Sequence, residues 1–149
     1  MDKMVAKIRN MIDADITSVR PLIRQLGYNL DHKTLEERFR SVMNSPDHHV
    51  FVYEIDGQLT GFLHIYGRPA LEKPIDAIVQ AIVIDEAYRH AGIGSDLMEA
   101  AEEWATAHGY SSVALYTNVD REDANTFYLH LGYCQEATSH FLRKESLEK

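Results

Sequence analysis

The run Ala77–Ile84, AIVQAIVI, constrains the fold more than any other part of the chain. Only Gln80 interrupts its apolar character, so it does not alternate between core and water. A continuous run of this kind suits a central strand covered on both faces. It gives way to Asp85-Glu-Ala-Tyr-Arg89-His90-Ala91-Gly92-Ile93-Gly94-Ser95. A helical pattern follows to about His108, with Ile93, Leu97, Ala100, Ala101 and Trp104 on one stripe and Glu99, Glu102 and Glu103 outside it. A buried strand that passes directly into a surface helix requires a sheet with helices packed on it.

The rest of the chain reads as alternating elements. Residues 5–11 suit a short strand. Asp13 or Asp15 is placed to cap a helix running to Leu26, with Ile16, Val19, Ile23 and Leu26 inside and Gly27 closing it. Residues 33–43 form a second helix that Ser45-Pro46 ends. Strands are expected at 49–55 and 58–66. The Asp56-Gly57 pair between them is a hairpin turn, because both positions of that dipeptide tolerate positive φ. Further strands fall at 75–84 and 112–117. A helix covers 121–131, with Asp120 as N-cap and Gly132 at its C-terminus. Tyr133 onward and Thr138–Lys144 are expected to add a last antiparallel pair. The sum is one α/β (α+β) domain over 1–149. Its sheet is mixed and mostly antiparallel, with six to seven strands and helices on both faces.

Composition narrows the function. The net charge of −8 repels phosphate backbones, which disfavours nucleic acid and favours a cationic partner. No run of 18 apolar residues is present, so no membrane helix is expected. The N-terminus lacks an apolar signal core, and Cys134 is the single cysteine, which suits a reducing cytoplasm. His48-His49 has no metal-ligand spacing around it and no HExxH motif occurs, so no metal is expected. Gly92-Ile-Gly-Ser95 is not the GxSxG of a serine hydrolase.

The strand-to-helix junction carries the chemistry. Helix N-termini leave amides unpaired and positively polarised, and glycines let an anion approach the backbone. Arg89 and His90 add positive charge there. The site is not a P-loop, since no Lys follows Gly94. It is not the dinucleotide fingerprint either, since Leu97 stands where a third glycine belongs.

The pattern R-x-x-G-x-G at Arg89, Gly92 and Gly94, between a strand and a helix, resembles motif A of the GNAT N-acetyltransferase superfamily. Ala124, Asn125, Phe127-Tyr128 and Leu131-Gly132-Tyr133 look like that family's downstream helix. Gly27-Tyr28, Asp56-Gly57 and Gly61-Phe62 fit its N-terminal half. The resemblance spans about residues 5–144. It implies acetyl-CoA as co-substrate, held in a cleft where two central parallel strands splay apart, here 75–84 and 112–117. The pantetheine arm would pair with backbone of Ile82, Val83 and Ile84. The pyrophosphate would rest on amides of Arg89, His90, Ala91, Gly92, Ile93, Gly94 and Ser95. Tyr128 matches the tyrosine near the thioester sulfur and would protonate the leaving thiolate. Asn125 would touch CoA, Phe127 would be core, and an amide near Val83 would meet the oxyanion.

The resemblance further implies direct attack by a primary amine in a ternary complex, with no acyl-enzyme. Cys134 is then packing rather than a nucleophile. An aminoglycoside-like or polyamine-like molecule or a protein amine would serve as acceptor. The loop 28–32 would close over it, and a homodimer is consistent with family habit. The pattern departs at the general base. Relatives often carry a glutamate on the strand before Ile82, where this chain has Ile78, Val79 and Gln80. Asp76, Glu54, His64, Tyr66 or a water held by Gln80 are the remaining candidates. The missing glutamate supports one alternative, a catalytically weak acyl-CoA sensor module.

Overall fold

The apolar run is the fourth strand of a five-stranded sheet. A computed structural model describes residues 5–147. The chain divides into two compact units, Met1–Tyr116 and Thr117–Lys149. The first contains β1 (Ala6–Asn10), α1 (Ile16–Gln25), α2 (His32–Met43), β2 (His48–Ile55), β3 (Gln58–Arg68), β4 (Asp76–Ile84), α3 (Ile93–Ala107) and β5 (Ser112–Leu115). The strands lie in the order β1-β2-β3-β4-β5, antiparallel except for the parallel pair β4–β5. The mixed sheet agrees with the sequence reading, but its strand count is five rather than six to seven.

The difference lies at the C-terminus. The expected strands at Tyr133 onward and Thr138–Lys144 are not formed among the described residues, and Phe141 and Leu142 are exposed. The intervening Gln135-Glu-Ala-Thr-Ser-His140 has few β-branched or aromatic side chains. A lone two-stranded pair is marginal in water.

Two helical layers cover the sheet. One face carries Val50, Val52, Phe62 and Val83, packed with Ile16, Val19 and Leu22 of α1 and Leu35 and Phe39 of α2. On the other, α3 buries Ile93, Leu97, Met98, Ala101, Trp104 and Ala105. Burying side chains of this size contributes about 1.5–3 kcal/mol each. The Asp56-Gly57 turn has φ of 50° and 82°, the two left-handed residues that match a hairpin's twist. Asp31 caps α2 by accepting the Thr34 amide at 2.7 Å.

Asp15 does something other than the capping expected of it. It precedes α1, yet its side chain makes no cap bond to that helix. Its carboxylate takes both arms of the Arg9 guanidinium at 2.8 Å and accepts the Ile12 amide. Arg9 also donates to Glu54 at 3.1 Å. A forked ion pair outbids a helix cap because each of its bonds is charge-assisted. The Arg9 fork, then the Ile12 amide, hold the Asp15 carboxyl below the usual carboxylate range against the cost of its burial.

Asp15→Ala is therefore expected to cost about 2–4 kcal/mol. That is the loss of one partner of a buried pair, reduced because Arg9 keeps some solvent. Because the folded pKa is depressed, the stabilisation is present above the ordinary carboxylate pKa and is lost as pH falls through the folded value. Thermal unfolding at pH 7 and near pH 3 checks this. The gap between wild type and variant should be large at pH 7 and shrink in acid.

The second unit holds α4 (Glu122–His130). Its N-cap is Arg121 rather than the expected Asp120. The Asp120 amide instead donates to Asn118 Oδ1 at 2.9 Å, a local Asx turn that delays the helix by one residue. Cys134, expected in packing, is exposed, because it follows Gly132 into a stretch without regular structure. No helix among the described residues is long and apolar enough to cross a membrane.

Candidate active site

β4 and β5 pair over only part of β4. Asp76, Ala77, Ile78 and Val79 face Ser112 to Leu115, and the pairing stops there. β4 continues to Ile84 against β3 alone. The divergence coincides with an irregularity. His64 pairs with Ala81 and Ile65 with Val79, so Gln80 is an extra residue in β4, a β-bulge. A bulge bends its strand and increases its twist. β5 ends at Leu115, opposite Val79, so past Gln80 one edge of the β4 backbone is open. The sequence shows Gln80 only as a polar break in an apolar run.

Which backbone groups face that opening follows from the ladder. The Asp85 amide donates to Thr60 of β3 at 2.8 Å. Antiparallel partners alternate between bonding to each other and facing away. Val83, two residues before Asp85 and opposite Phe62, thus spends its amide and carbonyl on β3. Ile82 and Ile84 face the gap. This corrects the expectation for Val83: its backbone is engaged and its side chain lies in the α1–α2 core. Consistently, Arg89 Nε reaches the Ile84 carbonyl at 3.4 Å. Gly61 is confined here too, since a Cβ on it would sit 2.9 Å from the Val83 carbonyl oxygen.

Beyond β4, Asp85 caps a single turn, Glu86–Tyr88, by accepting the Ala87 amide, and Gln25 at the end of α1 accepts the Glu86 amide at 3.1 Å. Arg89 is extended, His90 has φ of 67°, and Gly92 has φ of 82°. Successive bends of this kind turn amides toward a common concavity. The first helical bond of α3 runs from the Asp96 amide to the Gly92 carbonyl at 3.1 Å. The amides of Ile93, Gly94 and Ser95 precede it and have no acceptor inside the helix. With Arg89 and His90, both exposed, they form an anion-accepting corner beyond the open edge of β4.

Residues 16–133 match the model of the acetyltransferase (GNAT) family. The chain belongs to the GNAT family. It is 32% identical over 139 residues to the aminoalkylphosphonate N-acetyltransferase of Salmonella typhimurium, covering 92% of this chain and 88% of the relative. It is 26% identical over 133 residues to an aminoglycoside N(6')-acetyltransferase type 1 of Serratia marcescens, covering 85% of this chain and 88% of that one. Among solved structures, aminoglycoside N-acetyltransferase AAC(6')-Iy in complex with CoA superposes with a TM-score of 0.88 at 19% identity, over 97% of this chain and 98% of the other. At that identity the superposition shows the shared fold.

The remaining GNAT candidates are distributed as follows. In the second unit, Asn125 Nδ2 donates to the Asn118 carbonyl at 3.3 Å. Tyr128 is half-buried, edge-on to Phe127 and Tyr133, and burial raises its phenol above the ordinary tyrosine pKa. In the first unit, Glu54 is held by Lys7 and Arg9. Asp76 is held by Ser112 and faces Arg68 at 3.8 Å. Gln80 is exposed at the bulge. His64 lies 2.9 Å from His48, Nε2 to Nδ1, and Tyr66 stacks on His48 with ring centres 4.9 Å apart. In the 28–32 loop, Asp31 and His32 serve the start of α2, and Tyr28 is exposed.

Proposed function

We propose that this chain transfers acetyl from acetyl-CoA to a primary amine by direct attack in a ternary complex, the two units acting as one catalytic domain. The observation that carries the reading is the open edge of β4 beside the bare amides of α3. One side of a pantetheine arm needs a strand edge, and a pyrophosphate needs amides and positive charge. Here the two are adjacent, at Ile82–Ile84 and at Arg89–Ser95. The GNAT membership and a structural neighbour solved with CoA support the same donor.

In this reading the pyrophosphate lies on the amides from Arg89 to Ser95. The arm pairs with Ile82 and Ile84. The Ile82 amide meets the thioester oxygen as it gains charge. An unpaired amide on a strand whose other edge is held in a ladder is a preorganised donor, and losing such a donor typically costs about 10²–10³-fold in kcat. Tyr128, assigned by its match to the family's motif, gives its proton to the leaving thiolate. Its raised pKa keeps the phenol protonated through neutral pH. Asn125 contacts CoA. Nitrogen attacks the carbonyl carbon, the C–S bond breaks, and CoA leaves as the thiol.

The acceptor is a small primary amine. Relatives named for aminoalkylphosphonates and aminoglycosides point to that class, and an acidic surface attracts a cation. We place the protein in the cytoplasm, where acetyl-CoA is available, and keep a homodimer within the proposal. Release of CoA thiol from acetyl-CoA should rise above background when an aminoalkylphosphonate or an aminoglycoside is added, with a matching mass increase of one acetyl group on the amine. Tight acetyl-CoA binding with no thiol release across both amine classes would instead identify a sensor module.

A further inference from the structure

An anion corner works only if its amides keep their aim, and a loop between a strand and a helix does not keep it unaided. Here the chain leaves β4 at Asp85, makes the turn Glu86–Tyr88, and enters α3 through two left-handed residues, His90 and Gly92. Among the described residues no hydrogen bond holds His90 or Ala91. What fixes this segment lies at its two ends.

At the start, the Asp85 amide is bonded to Thr60 of β3 at 2.8 Å. Gln25, the last residue of α1, reaches the same point with its carboxamide. Its Oε1 accepts the Glu86 amide at 3.1 Å, and its Nε2 donates to Asp85 Oδ1 at 3.5 Å. Asp85 Oδ1 also accepts the Ala87 amide at 3.0 Å, so Gln25 grips both the turn and the residue that caps it. At the far end Tyr53 of β2, 8% exposed, donates its hydroxyl to Asp96 Oδ2 at 3.1 Å. Asp96 is the residue whose amide closes the first turn of α3 on Gly92.

The two side chains come from opposite layers. Val52 lies in the α1–α2 core, so Tyr53, the next residue of β2, faces α3. Gln25 belongs to the α1 layer. Among the described residues, no other side chain from outside 85–96 hydrogen-bonds to that segment. Each of the two also holds a carboxylate, Asp85 or Asp96, in place beside a site proposed for an anion. Burial first, and Asp96 second, raise the Tyr53 phenol above the ordinary tyrosine pKa, so it stays a donor through neutral pH.

Resting on the transferase reading, we propose that Gln25 and Tyr53 are positioning residues for the diphosphate of the donor: they hold the two ends of the segment from Asp85 to Asp96 so that its amides converge on one anion. Neither acts on the acetyl group or on the amine. A donor without phosphates therefore does not need them.

The test compares acetyl-CoA with S-acetyl-pantetheine, which has the thioester and the arm but no diphosphate. Thiol release gives kcat/KM for each donor, at a fixed concentration of whichever amine the wild type uses, aminoalkylphosphonate or aminoglycoside. Wild type should prefer acetyl-CoA. In Gln25→Met and in Tyr53→Phe that preference should fall about tenfold, the scale of one lost hydrogen bond. Values for acetyl-pantetheine should stay within about twofold of wild type, since the phosphate-free donor makes no use of the corner. Gln25→Glu sets two carboxylates face to face and should lose as much as Gln25→Met. Adding Asp85→Asn to it exchanges carboxamide and carboxylate, keeps the total charge and lets the hydrogen bonds form again. That double variant should recover the preference to within about threefold of wild type, the coupling expected of residues in direct contact. Gln25 is exposed, so its variants report on the corner even if Tyr53→Phe loosens the fold. Equal losses with both donors in the Gln25 variants, or an unchanged preference, would overturn the proposal and leave the transferase reading intact. A wild type that releases no thiol from acetyl-CoA with either amine would overturn that reading and the proposal with it.

Discussion

A tryptophan at Gly92 is expected to weaken CoA binding by at least about 100-fold, close to 2.7 kcal/mol. The folded state should survive. A Cβ on Gly92 meets no atom within 4 Å, so the start of a side chain is accommodated. Its ring would stand at the N-cap of α3, next to the amides where the pyrophosphate is proposed to sit. The left-handed backbone at Gly92, φ 82°, adds about 1–2 kcal/mol of strain for any L side chain. That lowers the melting temperature by roughly 2–8 °C. Calorimetry with CoA and a thermal melt separate the two effects. CoA affinity within threefold of wild type would remove the anion corner from the mechanism.

The second large effect belongs to Tyr128. Tyr128→Phe keeps the ring, its edge-on contact with Phe127 and its helix, and deletes only the hydroxyl, the proposed proton donor. The expected result is a kcat lower by about 10²–10⁴-fold with KM nearly unchanged, the pattern of a group that acts only in the transition state. Because burial raises the phenol's pKa, the wild-type enzyme should keep its acid form up to and beyond the ordinary tyrosine range near 10. The loss of rate in strong base should therefore be absent from the phenylalanine variant. An equal loss in kcat and 1/KM, with a lowered melting temperature, would assign Tyr128 to packing.

Much of the fold could be read in advance because its determinants are local. Asp56-Gly57 announces a turn by its own backbone freedom. AIVQAIVI announces a strand covered on both faces in its first half, where Ala77, Ile78 and Val79 are buried. Gly92 marks the start of α3, and there it is the N-cap. The features that escaped the sequence depend on partners far along the chain. Asp15 reads as a cap because Glu54, which helps hold Arg9 in place beside it, is 45 residues from Arg9. The phase of β4, which turns the backbone of Ile82 and Ile84 rather than Val83 to the gap, is set by β3. An all-apolar run has no alternation from which to deduce it. His64 reads as an ordinary strand histidine until pairing brings His48 to 2.9 Å from it.

The bulge at Gln80 makes the irregularity of β4 a matter of counting rather than of chemistry. The irregularity exists because β4 has one residue more than β3 across it, whatever side chain stands there. Deleting a single codon there would restore plain pairing between β3 and β4. Val79 and Ala81 would keep their faces, since Ile65 and His64 opposite them already alternate. A lineage could thus straighten the strand in one step while every other residue of it remained in the gene.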